Sequence, residues 1–185
     1  MVFSKAHSCY AIYAILADIG YIHREAWDKF YKGSFLSGCR ECHVSHGIAA
    51  SCGSSGHGVL QATGIAFGAR WQAHDYQTYC IAGDGEMQEG TKWEAMQVAV
   101  TYELDNLNVI VDRNHLQAMD FLDNILTPKE KKYDLEEKMK AFGFCVKTCD
   151  GHNLDEITTI LNNWRQNRDE ARKPQVLIPK KKCVA

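Results

Sequence analysis

TYCIAGDGEMQEGTKWEAMQVAVTYELDNLNVIVDRN, residues 78–114, is the stretch whose pattern decides the fold. It opens on a short apolar run, TYCIA, and closes on a second, NVIVDRN, both carrying the β-branched and aromatic residues that strands favour. The segment between them is helix-length and amphipathic, so the whole reads as two consecutive parallel strands joined by a helical crossover. Asp84 then falls at the carboxyl end of the first strand and Asn114 at that of the second. In open α/β sheets, ligands bind at that edge. A carboxylate and an amide oxygen there suit a hard divalent cation that completes its shell from a phosphorylated ligand. Gly83 and Gly85 let main chain approach phosphate, and the helix beginning near Glu89 offers its unsatisfied N–H groups to an anion.

On the N-terminal side, Met1 to Lys5 predicts a first strand. SCYAIYAILADIG predicts a helix that stops at Gly20, which leaves His7 at the strand-to-helix junction. A second helix over about 23–32 leads into an irregular stretch, 33–58, rich in Gly, Ser, Cys and His; a loop of that length in a compact domain usually carries function. Helical pattern returns from about Val59 to Gln72, behind the Gly53-Ser54-Ser55-Gly56-His57-Gly58 turn, a second place where main-chain N–H groups could face an anion. On the C-terminal side a polar loop, 115–133, precedes a helix over 134–142, the strand GFCVKTC, the turn Asp150-Gly151-His152, a helix over 154–168 and a last strand, PQVLI. Strands and helices alternate throughout. The expected fold is therefore α/β with a mostly parallel sheet flanked by helices, in a single domain spanning 1–185.

The 185 residues, 45% of them hydrophobic, are enough to bury a real core. A net charge of −2 argues against nucleic acid or an anionic membrane as partner, and the basic run Lys180, Lys181 and Lys182 is confined to the tail. The longest apolar run, near Ala11 to Ile19, is interrupted by Asp18 and too short to span a bilayer. The N-terminus lacks signal-peptide architecture, so a cytoplasmic protein is expected. Cysteines scattered through strand and helix patterns in a chain of this size point to reduced thiols rather than a disulfide scaffold.

The longer string GDGEMQEGTKWEA, followed by LDNLNVIVDRNHLQ, resembles the thiamine-diphosphate motif of transketolases, a GDG with a downstream Asn. FSKAH is similar to the SKGH segment of that family, GIAASCGSSGHG to its glycine-rich loop, FGFCVKTCDGH to its strand-DGH element and KPQVLI to its last core strand. The resemblance covers nearly the whole chain and fits best the N-terminal, diphosphate-binding subunit of transketolases made as two polypeptides. It implies thiamine diphosphate as cofactor, anchored by Mg²⁺ or Ca²⁺, with Asp84 and Asn114 as side-chain ligands of the metal and the main-chain carbonyl of Leu116 as a third. It implies that Gly83, Asp84, Gly85 and Glu86, with Gly53, Ser54 and Ser55, bind the cofactor, and that His7 lies against the diphosphate or the reaction centre. His57 stands where the family has Gln or His, so it would face substrate or cap its helix. Glu89 and Glu94 match glutamates on the passage between the two active sites of a dimer; a solvated helix face explains Glu94 equally well.

Thiamine diphosphate supplies its own carbanion chemistry and the protein positions it. In the resembled family the glutamate that activates the aminopyrimidine lies in a separate pyrimidine-binding domain. The resemblance therefore implies a C-terminal pyrimidine-domain partner subunit, homodimer contact within an α2β2 assembly, and sugar phosphates as substrates of a two-carbon ketol transfer. Two other readings stay open: a related synthase that condenses pyruvate with an aldehyde phosphate, and a catalytically silent binding or regulatory module. Departures from the family pattern motivate the silent module. The chain starts where the family is already under way, so a domain shortened at its N-terminus is expected. Cys39 falls in the family's Gly-His-Pro loop, Ser55 replaces a hydrophobic residue beneath the thiazolium, and KKKCVA ends without a further family histidine. His43 and His46 stand close enough in sequence to replace the loop histidine.

Cys39-Arg40-Glu41-Cys42-His43 is formally a c-type haem attachment motif, and Cys39, Cys42, His46 and Cys52 could instead hold zinc. A redox-sensitive dithiol and an ordinary loop of reduced thiols are the other readings. His152 is expected to pack at a strand-to-helix turn with Asp150 as the cap. His23, His74 and His115 are expected at the surface.

Overall fold

The computed structural model describes residues 1–39, 41–125, 134–166 and 172–180. Its strands are β1 (Val2–Phe3), β2 (Thr78–Gly83), β3 (Leu107–Asp112), β4 (Cys145–Asp150) and β5 (Gln175–Lys180). They form one sheet in the order β1-β2-β3-β5-β4, and every pairing is parallel. Helices α1 (Cys9–Asp18), α2 (Arg24–Asp28), α3 (His57–Trp71), α4 (Gly90–Thr101), α5 (Leu135–Ala141) and α6 (Leu154–Gln166) lie in the connections. The chain advances across the sheet from β1 to β3 and on to β4 at the edge, then turns back to β5. With right-handed crossovers, that reversal sends α6 to the face opposite α4.

Alternation within each strand sorts side chains between the two faces. Cys80, Ala82, Val109, Val111, Val176 and Ile178 pack in one layer with Val59, Ala62 and Ala66 of α3, Met96 and Ala99 of α4, and Leu135 and Met139 of α5. Ile110 and Leu177 point the other way, onto Trp164 of α6. Phe3 and Ile81 meet the α1 side chains Ile12, Tyr13 and Leu16. A parallel sheet covered on both faces explains why its strands read as continuous apolar runs.

The expected α/β architecture is present, with element ends that differ for local reasons. The first strand pairs only at Val2 and Phe3, because the Ser4 and Lys5 N–H groups both converge on Ile81 O as the chain turns away. The second helix is α-helical only over Arg24–Asp28, and Tyr31 takes a left-handed φ of 57°. α3 starts at His57, earlier than predicted, because Gly56 at φ 91° makes the turn that launches it. β3 ends at Asp112, so Asn114 lies just past the strand rather than on its tip. The described residues of the 33–56 stretch are mostly irregular, pinned by a bridge between His43 and Ile48. Arg40, residues 126–133 of the predicted polar loop, the last two positions of the helix predicted to 168, and Lys181 and Lys182 lie outside the described residues.

Candidate functional site

A cavity of about 410 Å³ opens off the carboxyl ends of β2 and β3. Asp84, the residue after β2, is only 1% exposed. Its N–H donates to Asp112 O at 3.2 Å, so the hydrogen-bonded ladder runs one step past the strands. Two main-chain donors fix its carboxylate: Gly85 N–H to Oδ1 at 2.9 Å and His115 N–H to Oδ2 at 2.7 Å. Burial raises the Asp84 pKa, and these two N–H bonds oppose the rise. Each carboxylate oxygen keeps lone-pair capacity for a cation.

Asn114 Oδ1 accepts the Leu116 N–H at 2.9 Å, which folds the 114–116 segment on itself beside Asp84. A Cβ added at Gly85 would stand 2.8 Å from Gln117 Cβ and 3.1 Å from Leu116 O. The absence of a side chain at 85 is what lets that carbonyl come so near. Asp84, Asn114 and Leu116 all line this cavity and offer a carboxylate, an amide oxygen and a main-chain carbonyl. An all-oxygen set fits Mg²⁺ or Ca²⁺ and does not suit a softer metal.

His7, exposed on the Ala6–Ser8 turn, lines the same cavity, as do Ser55, Gly83 and Glu89. Glu86 reaches it too, but its carboxylate is turned inward to Ser4, Gly56 and Gly83. Gly53, Ser54 and His57 are not among the lining residues. Gly53 lies against the Cys39 side chain, and the His57 N–H donates to Ser54 O at 3.3 Å where α3 begins.

Sequence reasoning passed over Lys5, Gln88, Gln117 and Met119, which also line the cavity. Lys5 had a legible signal: it is a cation just past a strand, and it pairs with Asp112. Gln88 had none, since its Nε2 donates to Ile125 O at 2.7 Å, a contact made only once the 115–125 segment has folded. His115 was expected to be a surface residue without chemical neighbours. It is half-buried, and its N–H holds Asp84.

A second, apolar groove of about 420 Å³ runs between α3 and α4, lined among others by Leu60, Phe67, Val98, Tyr102 and Glu94. In the cysteine-rich loop, Cys39 and Cys42 are exposed free thiols. Cys52 is buried, with its Sγ on Gln61 Oε1 at 3.4 Å. Among the described residues no three His, Cys, Asp or Glu side chains converge to hold a metal, so the zinc set is not assembled there. At the end of β4 the predicted cap is corrected. Asp150 Oδ1 accepts the His152 N–H at 2.9 Å, while Asn153 caps α6 by accepting the Glu156 N–H at 3.1 Å. The side chain one step before the helix wins because it alone reaches the third helical N–H.

The family model for the transketolase thiamine diphosphate binding domain matches residues 1–181. The chain belongs to this transketolase family. The transketolase-family chain is 36% identical over 177 residues to one of the subunits of the apulose-4-phosphate transketolase of Actinobacillus succinogenes, covering 95% of this chain and 61% of that protein. It is 35% identical over 179 residues to a 6-deoxy-6-sulfo-D-fructose transketolase subunit of a Clostridium species, covering 96% and 62%. It thus spans about three-fifths of the length of these curated relatives. The solved transketolase of Campylobacter jejuni shares its fold with a TM-score of 0.82 at 26% identity, over 97% of this chain and 28% of that one. Among the described residues of the transketolase-family chain, no helix is long and apolar enough to cross a membrane.

Proposed function

We propose that the chain is the diphosphate- and metal-binding subunit of a cytoplasmic, two-polypeptide transketolase that uses thiamine diphosphate to move a two-carbon ketol unit between sugar phosphates. The observation that carries this reading is the presence of Asp84, Asn114 and Leu116 around one cavity at the ligand-binding edge of the sheet. Asp84, Asn114 and the Leu116 carbonyl would hold Mg²⁺ or Ca²⁺, with phosphate oxygens completing the shell. Gly83 and Gly85 would approach the diphosphate through main chain, as would the turn that leads into α3, of which Ser55 is on the wall while Gly53 and Ser54 stand off it and would act only at the rim. When bound, the cofactor supplies the carbanion-stabilising chemistry. His7, on the cavity wall, would contact the diphosphate or substrate; Glu89, also on the wall, would serve as a relay group toward a second site. His57 stands off the wall and would act from the substrate side.

The names of the relatives, subunits of transketolases, support a second polypeptide that carries the pyrimidine-binding half. The apolar groove between α3 and α4 supports contact between two copies of this chain within an α2β2 assembly. The test is to combine the chain with a pyrimidine-domain subunit, thiamine diphosphate, Mg²⁺, a ketose phosphate and an aldose phosphate. Ketol transfer that needs both polypeptides is expected, and transfer by this chain alone would overturn the partner requirement.

One observation favours the catalytically silent module as a second reading: an exposed thiol, Cys39, packs beside Gly53 in the segment that corresponds to the resembled family's histidine loop. A thiol does not replace an imidazole as a proton-shuttling contact to a sugar hydroxyl. Cofactor binding without transfer to any aldose phosphate in the same assay would select that reading.

A further inference from the structure

Lys92 is buried beneath the site and is not among the groups assigned to the cation, the cofactor or the substrate. It sits in the first turn of α4 with 0% exposure. Lysine is almost never fully buried unless paired, and the positive end of a helix dipole is a poor place for a cation. Its Nζ lies 4.0 Å from Glu86 Oε1 and 3.5 Å from Met87 Sδ. Burial pushes its pKa down to about 8 against the pull of Glu86, so the ammonium is still charged at neutral pH.

Glu86 explains the placement. Its Oε1 accepts from Ser4 Oγ at 2.7 Å and from Gly56 N–H at 3.0 Å, and its Oε2 accepts from Gly83 N–H at 2.7 Å. Ser4 follows β1, Gly83 ends β2, and Gly56 is the residue from which α3 starts. One carboxylate therefore ties together three segments remote from one another in sequence, and two of its donors are main-chain N–H groups that only an acceptor can satisfy. A carboxylate this deeply buried needs a counter-charge to stay in place. The lysine also packs under the turn itself: a Cβ at Gly56 would meet Lys92 Cε at 3.2 Å.

We propose that Lys92 is a positioning residue for the anion-binding turn: by balancing the Glu86 charge from beneath, it keeps the Gly56 start of α3 and the Gly83 end of β2 held to one carboxylate, and so sets the opening that grips a diphosphate. The link to diphosphate rests on the proposed cofactor function; the coupling of Lys92 to Glu86 does not. Lys92 acts through Glu86, so its removal matters only while the carboxylate is there.

The test compares the wild-type chain with Lys92→Met, Glu86→Gln and the double variant, using amide hydrogen exchange at Gly56 and Gly83 without ligand. Lys92→Met is expected to speed exchange at both amides about tenfold, and to have an effect of less than about twofold in the Glu86→Gln background. An equal effect in both backgrounds, or none in either, overturns the proposal, because a lysine that merely fills space would act independently of Glu86. If Lys92→Met does not fold, folding of the double variant supports the coupling and its failure overturns it. A second arm titrates thiamine diphosphate with Mg²⁺ in the presence of the pyrimidine-domain subunit, where Lys92→Met is expected to bind about tenfold more weakly than wild type. Unchanged affinity overturns the link to the anion site. Absence of binding by the wild-type chain together with that subunit would instead overturn the cofactor reading, with the exchange arm still deciding the Lys92–Glu86 coupling.

Discussion

Asp84 has to be buried and charged at once. Burial raises its pKa, and the Gly85 and His115 N–H groups only partly oppose that. Asp84→Asn is therefore expected to abolish Mg²⁺-dependent thiamine diphosphate binding, a loss of about 100-fold or more by calorimetric titration. The melting temperature of the ligand-free chain should move by only about a few degrees, because relief of the buried charge offsets one lost acceptor. A variant that binds as tightly as wild type would remove the metal assignment. Gly85→Ala places a methyl group against Gln117 and Leu116 O. It should push that carbonyl off the site and weaken cofactor binding about tenfold, with an unchanged circular dichroism spectrum. Half of this was legible in the sequence, since Asp84 and Asn114 carry distinctive oxygens near strand ends. The parts of His115 and Gln117 were not. They contribute a main-chain N–H and a close backbone approach, and main-chain atoms look alike whatever the side chain.

Among the elements, α4 opens on the buried Lys92, and its pKa makes a pH signature. The folded value of about 8 lies below the ordinary 10.5, so between those limits the unfolded chain binds more protons than the native one. The desolvation cost of the charged form exceeds what its attraction to Glu86 returns, so stability at this residue rises with pH across that window even as the charge facing Glu86 is lost. In urea melts, wild type should gain on Lys92→Met between about pH 7.5 and 10, and a constant difference would show that Lys92 is not the group titrating. Strongly periodic helices and strands could be read from sequence because one face of each is buried, which imposes the period. The end of α2 could not. Phe30 is surrounded there by Tyr10, Trp27 and Tyr31, with ring centroids 5.3, 5.9 and 4.4 Å away. Aromatic packing between elements overrides the local helical preference of residues 29–32.

For the whole molecule, alternation of elements announced a parallel sheet but not the order of its strands. The position of β5 between β3 and β4 depends on a reversal of chain direction that no local pattern encodes. Its signal was present only as composition: Val176, Leu177 and Ile178 are all fully buried, as an interior strand requires. The groove between α3 and α4 carries the prediction at this scale. Val98 is 43% exposed in it, and Val98→Asp is expected to convert a two-copy species to a single copy in sedimentation velocity without loss of helicity. A wild-type chain that sediments as a monomer at micromolar concentration would show that the groove does not join two copies.

Asp84 directly follows β2 and is bonded to β3 through its N–H to Asp112 O, whereas Asn114 stands two residues past the end of β3. Neighbouring strands keep a spacing of about 4.8 Å, so the jaw on the β2 side is set by the sheet, and the jaw on the β3 side by the 114–116 turn that Asn114 closes onto the Leu116 N–H. Changes confined to the 33–56 segment would then leave the β2 jaw in place, whereas changes at 115–117 would reach it through the His115 N–H and the Leu116 carbonyl.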